Sequence, residues 1–186
     1  MNERINKKRI FVSIDLPKDS KDALKSIIRP DVYWIKWLAP HNFHITLNFL
    51  GDLSTSEINS AKEVIAGVSA LYQPFHLKLQ FFRGEEDMLW LVPEKNETLD
   101  KLQWELRLEL KKAGIGKRER RTYLPHVLVA KSKTGRRMSW KPDNFRPIEF
   151  RVESVNLYES VLAPGVATHT LIQSFALEKM AKNNES

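Results

Sequence analysis

Two short apolar runs, each carrying one histidine, set the strongest constraint on this chain. The first reads Phe43-His44-Ile45-Thr46-Leu47-Asn48-Phe49-Leu50-Gly51, and the second reads Tyr123-Leu124-Pro125-His126-Val127-Leu128-Val129-Ala130-Lys131. The two histidines stand 82 residues apart. Successive side chains of a β-strand point to opposite faces. His44 and Thr46 therefore share one face, while Phe43, Ile45, Leu47 and Phe49 take the other. In the second run Val127 and Val129 take the apolar face and His126 the opposite one. A histidine-bearing face built twice in 186 residues suggests a duplicated unit with both imidazoles turned toward one cleft. Two imidazoles facing one substrate supply a general base and a general acid near neutral pH.

A chain of 186 residues is expected to form one domain, spanning 1–186, with a sizeable core. Its 42% hydrophobic and 28% charged content is ordinary for a soluble globular protein. The absence of cysteine removes disulfides, thiol nucleophiles and thiolate metal sites, and fits a reducing compartment. No apolar stretch approaches the length of a membrane helix. The basic start, Met1 to Arg9, runs straight into Ile10-Phe11-Val12-Ser13-Ile14 without an apolar signal region, so a cytoplasmic location is expected. A formal net charge of +7 favours polyanions, and equally suits a merely soluble basic surface.

Local pattern gives the order of elements. Ile10 to Leu16 reads as a strand closed by Pro17. A short helix follows, capped by Asp19 or Ser20 and ended by Pro30, with Ala23, Leu24, Ile27 and Ile28 as its stripe. Trp34 to Trp37 is a short extended stretch, and Pro40 breaks the chain before the first histidine strand, which ends at Gly51. Ser54-Thr55-Ser56-Glu57 is a capping box opening a helix with Ile58, Ala61, Ile65 and Val68 on one side. Phe75, Leu77, Leu79 and Phe81 alternate along a strand whose hairpin partner is Met88 to Val92, across a turn at Gly84-Glu85-Glu86-Asp87. The longest helix runs from about Thr98 to Ala113, with Gly114 as its C-terminal cap. After the second histidine strand, Lys131 to Pro147 reads as a polar loop. Phe150 to Tyr158 and Thr170 to Leu177 read as strands joined by a Pro164-Gly165 hairpin. The order β-α-β-α-β-β-α-β-β-β suggests an α+β fold of two similar lobes sharing a cleft, with the break near Pro74 or Pro93.

The segment His44-Ile45-Thr46-Leu47 closely resembles the HxTx signature of the two-histidine phosphoesterase superfamily. The nearest match is its RNA 2',3'-cyclic phosphodiesterase, or 2'-5' RNA ligase-like, family. Arg9 to Pro17 resembles the family's opening strand, Trp37 to Gly51 its first-motif strand, Leu124-Pro125-His126-Val127 the start of the second motif, and Leu157-Tyr158-Glu159-Ser160 the late strand. The likeness runs from Arg9 to Leu177. It implies two lobes, each an antiparallel sheet with helices on its outer face, around a central cleft carrying one histidine motif from each lobe. It further implies hydrolysis of RNA 2',3'-cyclic phosphate ends to 2'-phosphomonoesters, with 2'-5' ligation as a related activity. His44 would be the proton donor, His126 the proton acceptor, and Thr46 a phosphate contact. The resemblance implies no metal, no cofactor, no membrane and no obligate protein partner; the partner is RNA ending in a 2',3'-cyclic phosphate, or a small nucleotide.

One position departs from the pattern. The second motif has Leu128 where the family carries a threonine, so one half-site lacks a hydroxyl donor. Loss of such a donor costs about 10²–10³ in rate. Arg121, Thr122, Tyr123 or a water are candidates to fill the gap. Leu128 also motivates an alternative, an RNA-end or nucleotide-binding protein with impaired catalysis; a phosphodiesterase for small cyclic nucleotides is a third reading. Arg118, Arg120 and Arg121, just before His126, and Lys131 beyond it are candidate RNA contacts or a solvated surface. Lys133, Arg136, Arg137 and Lys141 are similar. Trp34, Trp37, Trp90 and Tyr158 are either base-stacking or core residues. His41, His76 and His169 are expected to be scaffold residues.

Overall fold

In the computed structural model, which describes residues 7–29, 31–116, 122–163 and 166–178, the apolar runs become strands of one curled antiparallel sheet. In chain order the elements are β1 (Lys8–Asp15), α1 (Lys18–Lys25), β2 (Ile35–Trp37), a 3₁₀ turn (Pro40–Asn42), β3 (His44–Leu53), α2 (Thr55–Ser69), β4 (Phe75–Glu85), β5 (Met88–Pro93), α3 (Glu97–Lys112), β6 (Val127–Ser132), β7 (Ile148–Val152), β8 (Ser154–Ala163) and β9 (Val166–Ala176). The sheet order is β7-β4-β5-β6-β3-β1-β8-β9, and β2 pairs with β6.

The α+β reading holds, and the two lobes are halves of this one sheet. β7, β4, β5 and β6 form one half, and β3, β1, β8 and β9 the other. They meet where Ile45 of β3 pairs with Val127 of β6. Between β1 and β3 the chain reaches across to lay β2 on β6; it crosses again through α2, just before β4, and returns at Glu153. Helices α2 and α3 pack on each other and on the β3 half, while α1 packs against β7. Beneath them one apolar cluster spans both halves: Val12, Ile14, Ile45, Leu77, Leu79, Val127 and Val129 meet Ala61 and Ile65 of α2 and Leu102 and Leu106 of α3. Burying each Leu, Ile or Val side chain contributes about 1.5–3 kcal/mol.

The helix signals act as read. Ser54 and Glu57 form the reciprocal capping box of α2. Asn96 caps α3, accepting from the Leu99 N–H at 2.9 Å. At its end Gly114 takes a φ of 72°, and the Ile115 N–H returns to the Leu110 carbonyl at 2.8 Å, tucking the buried Ile115 under the last turn. Helix α1 differs: it starts at Lys18, so neither Asp19 nor Ser20 caps it, and Ser20 is buried on its inner face.

Several strand boundaries also move, for reasons alternation alone does not carry. β3 runs past Gly51 to Leu53, because a bulge lets Gly51 pair with Ile10 at a φ of 82°. A second bulge, at Gln80, reverses parity in β4, so Phe81 is exposed and Phe82 packs toward the core. Gly84 and Glu85 belong to paired β4, leaving Glu86 and Asp87 as the turn. Lys131 and Ser132 belong to β6. The expected strand Phe150–Tyr158 is two strands, which lie in opposite halves of the sheet. Pro164 and Gly165 lie outside the described residues, though β8 and β9 pair up to Ala163 and Val166. Among the described residues no helix is long and apolar enough to cross a membrane.

Two glycines give opposite expectations. A Cβ on Gly84 would come within 1.9 Å of the Met138 carbonyl oxygen, whereas one on Gly67, in α2, meets nothing within 4 Å. Gly84→Ala should therefore destabilise the protein by about 1–3 kcal/mol, as overpacking does. Gly67→Ala should stabilise it by about 0.5–1 kcal/mol. Urea denaturation of both variants checks the pair.

Candidate active site

Ile45 and Val127 are fully buried and face each other across the seam between the halves. Their burial fixes the parity of both strands. Extending that antiparallel register one residue each way sets Thr46 opposite His126 and His44 opposite Leu128. All four side chains line a single cleft of about 760 Å³. The two histidines expected to converge are thus brought together by one cross-strand pair.

Each ring is pinned in the same way. The Nδ1 of His44 lies 2.7 Å from the Asn42 carbonyl oxygen, and that of His126 lies 2.8 Å from the Leu124 carbonyl oxygen. A carbonyl only accepts, so Nδ1 carries the proton in both rings and Nε2 is the titrating nitrogen. The backbone ahead of each histidine makes this possible: a 3₁₀ turn from Pro40 to Asn42 before His44, and Leu124-Pro125 before His126. Nε2 of His44 lies 3.1 Å from Thr46 Oγ1, which donates to it when the ring is neutral.

Aromatic rings back both imidazoles. Trp90 of β5, the cross-strand neighbour of Leu128, stacks on His126 at 3.8 Å and 12°. Phe11 of β1 lies 5.1 Å from the His44 ring. These apolar surroundings disfavour charge on the rings. Burial, and then the neighbouring His169, push His44 from its ordinary value down to about 4. Burial also pushes His126 down. Sequence reasoning expected a base and an acid near neutral pH; the structure makes both rings neutral at pH 7 in the unliganded protein.

The walls carry positive charge. Arg9, Lys36 and Lys131 line the cleft, and no carboxylate does among the described residues. Lys36 and Lys131 are direct cross-strand partners on β2 and β6. No group of three His, Asp or Glu side chains suited to a metal occurs among the described residues.

The other candidates sort clearly. Lys131 reaches the cleft; Lys133, Arg136, Arg137 and Lys141 do not line it. Arg118, Arg120 and Arg121 lie outside the described residues. Trp37 and Trp90 line the cleft. Trp34 instead packs on a small cluster with Ile35, Leu89 and Met138. Tyr158 stacks on Phe11 and donates to the Asp15 carboxylate. Neither Thr122 nor Tyr123 lines the cleft, so neither supplies the hydroxyl missing at Leu128. His41 and His169, read from sequence as scaffold residues, both line the cleft, whereas His76 does not. Polar alternation along β9 was the available signal for His169; its distance in sequence from both motifs hid the link.

Comparison with known proteins agrees with this architecture. The model of the 2'-5' RNA ligase superfamily matches residues 21–162, and the chain belongs to that superfamily. An RNA 2',3'-cyclic phosphodiesterase of Methanothermobacter thermautotrophicus is 28% identical, over 92% of this chain and all of its own. One from Bacillus subtilis is 30% identical, over 67% of this chain and 72% of its own. The chain is an enzyme of this phosphodiesterase group. The fold is that of Escherichia coli LigT in its 3'-AMP complex, with a TM-score of 0.78 and 22% identity over 92% of this chain and 98% of that one. It is equally that of TT0787 of Thermus thermophilus, with a TM-score of 0.75 and 24% identity over 93% of this chain and all of that one.

The lowered value of His44 has a consequence for stability. Its folded pKa lies below the unfolded value, so the unfolded chain binds the proton more tightly. The contribution is fully present above about pH 6.5 and is lost as pH falls toward 4. His44→Gln should therefore lose less Tm than the parent between pH 7 and pH 5, as read by thermal melts.

Proposed function

We propose that this chain hydrolyses RNA 2',3'-cyclic phosphate ends to 2'-phosphomonoesters by a metal-independent, two-histidine acid–base mechanism. The observation that carries the reading is the pair of Nδ1-pinned imidazoles, His44 and His126, on one cationic cleft that no carboxylate lines among the described residues. Its curated relatives bear the name of this activity, and a structural neighbour was solved with 3'-AMP.

The cyclic phosphodiester carries one negative charge. Seated between the rings it favours their protonation, and Arg9, Lys36 and Lys131 offset the charge that builds up at phosphorus. By family correspondence, neutral His126 takes a proton at Nε2 from the attacking water. Protonated His44 gives its Nε2 proton to the departing 3'-oxygen, and Thr46 Oγ1 donates to a non-bridging oxygen. The bond from phosphorus to the water oxygen forms as the bond to the 3'-oxygen breaks. The product is a 2'-phosphate beside a 3'-hydroxyl. A ribose 5'-hydroxyl in place of water would give a 2',5' linkage by the same attack.

Leu128 favours a second reading, a binding protein with reduced catalysis, because the cleft wall beside His126 offers a methyl group in place of a hydroxyl. One assay separates the two. An oligoribonucleotide ending in a 2',3'-cyclic phosphate, incubated with the protein in EDTA, should yield the 2'-phosphate. His44→Ala and His126→Ala should each lower the rate by about 10²–10⁴. Binding without turnover at any pH would favour the second reading. Turnover of mononucleotides alone would point to small cyclic nucleotides.

The pH profile tests the electrostatics. The reaction needs one ring neutral and one protonated, and both free rings titrate below their ordinary value. A plot of kcat/KM against pH should therefore peak on the acid side of 6.5. The kcat profile should peak higher, because bound phosphate raises both rings. A kcat/KM optimum above pH 7 would contradict the scheme.

A further inference from the structure

We propose that His169 is a third substrate-contacting histidine, which presents a neutral Nε2–H to a phosphate oxygen held against His44. This rests on the reading of the cleft as a phosphodiesterase site. His169 projects from β9, four strands from β6, yet its ring meets the His44 ring edge-on at 5.4 Å and lines the same cleft. Phe11 supports it from below, with ring centroids 5.0 Å apart and a 74° angle.

The tautomer follows from burial. His169 Nδ1 is buried and has no hydrogen-bond partner among the described residues. A buried bare lone pair is tolerated better than a buried N–H without an acceptor. The proton of the neutral ring therefore sits on Nε2, the reverse of His44 and His126, whose Nδ1 protons are held by carbonyls. Protonating both nitrogens would bury that N–H and set a second positive charge beside His44, so the ring is neutral at pH 7; burial and the nearby His41 act in the same direction. The three imidazoles thus have different jobs. Two expose a titrating nitrogen, and the third exposes a fixed donor. That donor is what Leu128 fails to provide, supplied here from the far side of His44.

Two measurements test this. Long-range nitrogen–proton NMR of the wild-type protein at pH 7 should place His169 in the Nε2–H form and His44 and His126 in the Nδ1–H form. Inorganic phosphate should shift the His169 Nε2 resonance. An Nδ1–H form, or a His169 signal indifferent to saturating phosphate, would overturn the proposal. In the cyclic-phosphate assay, His169→Phe keeps the ring but removes the donor, and should lower kcat about 10²-fold with KM changed little. His169→Gln sets an amide N–H near the place of Nε2, and should recover at least a tenth of the parent kcat. Equal loss in both variants would mean a packing role and would also overturn it. If the wild type turns over no cyclic phosphate while the NMR result holds, the reaction assignment fails and the His169 phosphate contact stands.

Discussion

The cross-strand pair Ile45–Val127 is the contact on which the site depends. It joins the two halves of the sheet, and each member directly follows a motif histidine. Because both side chains are buried, their neighbours on either side must face the cleft. A slip of one residue in either strand would send a histidine into the apolar core and an isoleucine or valine toward water. The hydrophobic effect therefore sets the geometry of the cleft here; the imidazoles are carried into place by their apolar neighbours.

Strand β1 shows how the surrounding structure meets that demand. It lies inside the β3 half, paired with β3 and β8, and Ile10 to Ile14 are all buried. Ile10, Val12 and Ile14 join the core shared with the helices. Phe11 points the other way, where it contacts His44, His169 and Tyr158. The same rings that fill space under the cleft exclude water from the imidazoles. That exclusion lowers the affinity of the rings for protons. A bound anion reverses the effect, so the apolar backing and the basic rim work as a pair: one keeps the empty site uncharged at its centre, and the other favours an anionic occupant.

Much of this was legible in the chain. The two motifs, the parity of their strands next to each histidine, the capping box at Ser54, the long α3 and the family all follow from local pattern, whereas Phe49, read as sharing the apolar face of Ile45, is turned to the cleft by a bulge at Leu47. The errors cluster where one added residue overturns parity or where a short link hides a long excursion. The bulge at Gln80 exposes Phe81, and Glu153 alone separates two strands that lie in opposite halves of the sheet. Neither event changes composition or periodicity enough to be read.

What the sequence by itself determined is which side chains share a face within each stretch of strand free of bulges, because side-chain alternation is a property of the backbone and the apolar members must be buried. Which strands became neighbours was decided only by the tertiary structure. His169, Arg9 and Lys36 joined the cleft through pairings between segments far apart in the chain. The same assembly withdrew water from His44 and moved its pKa to about 4. Desolvation is the sum of everything packed around a group, and no stretch of neighbouring residues contains that sum.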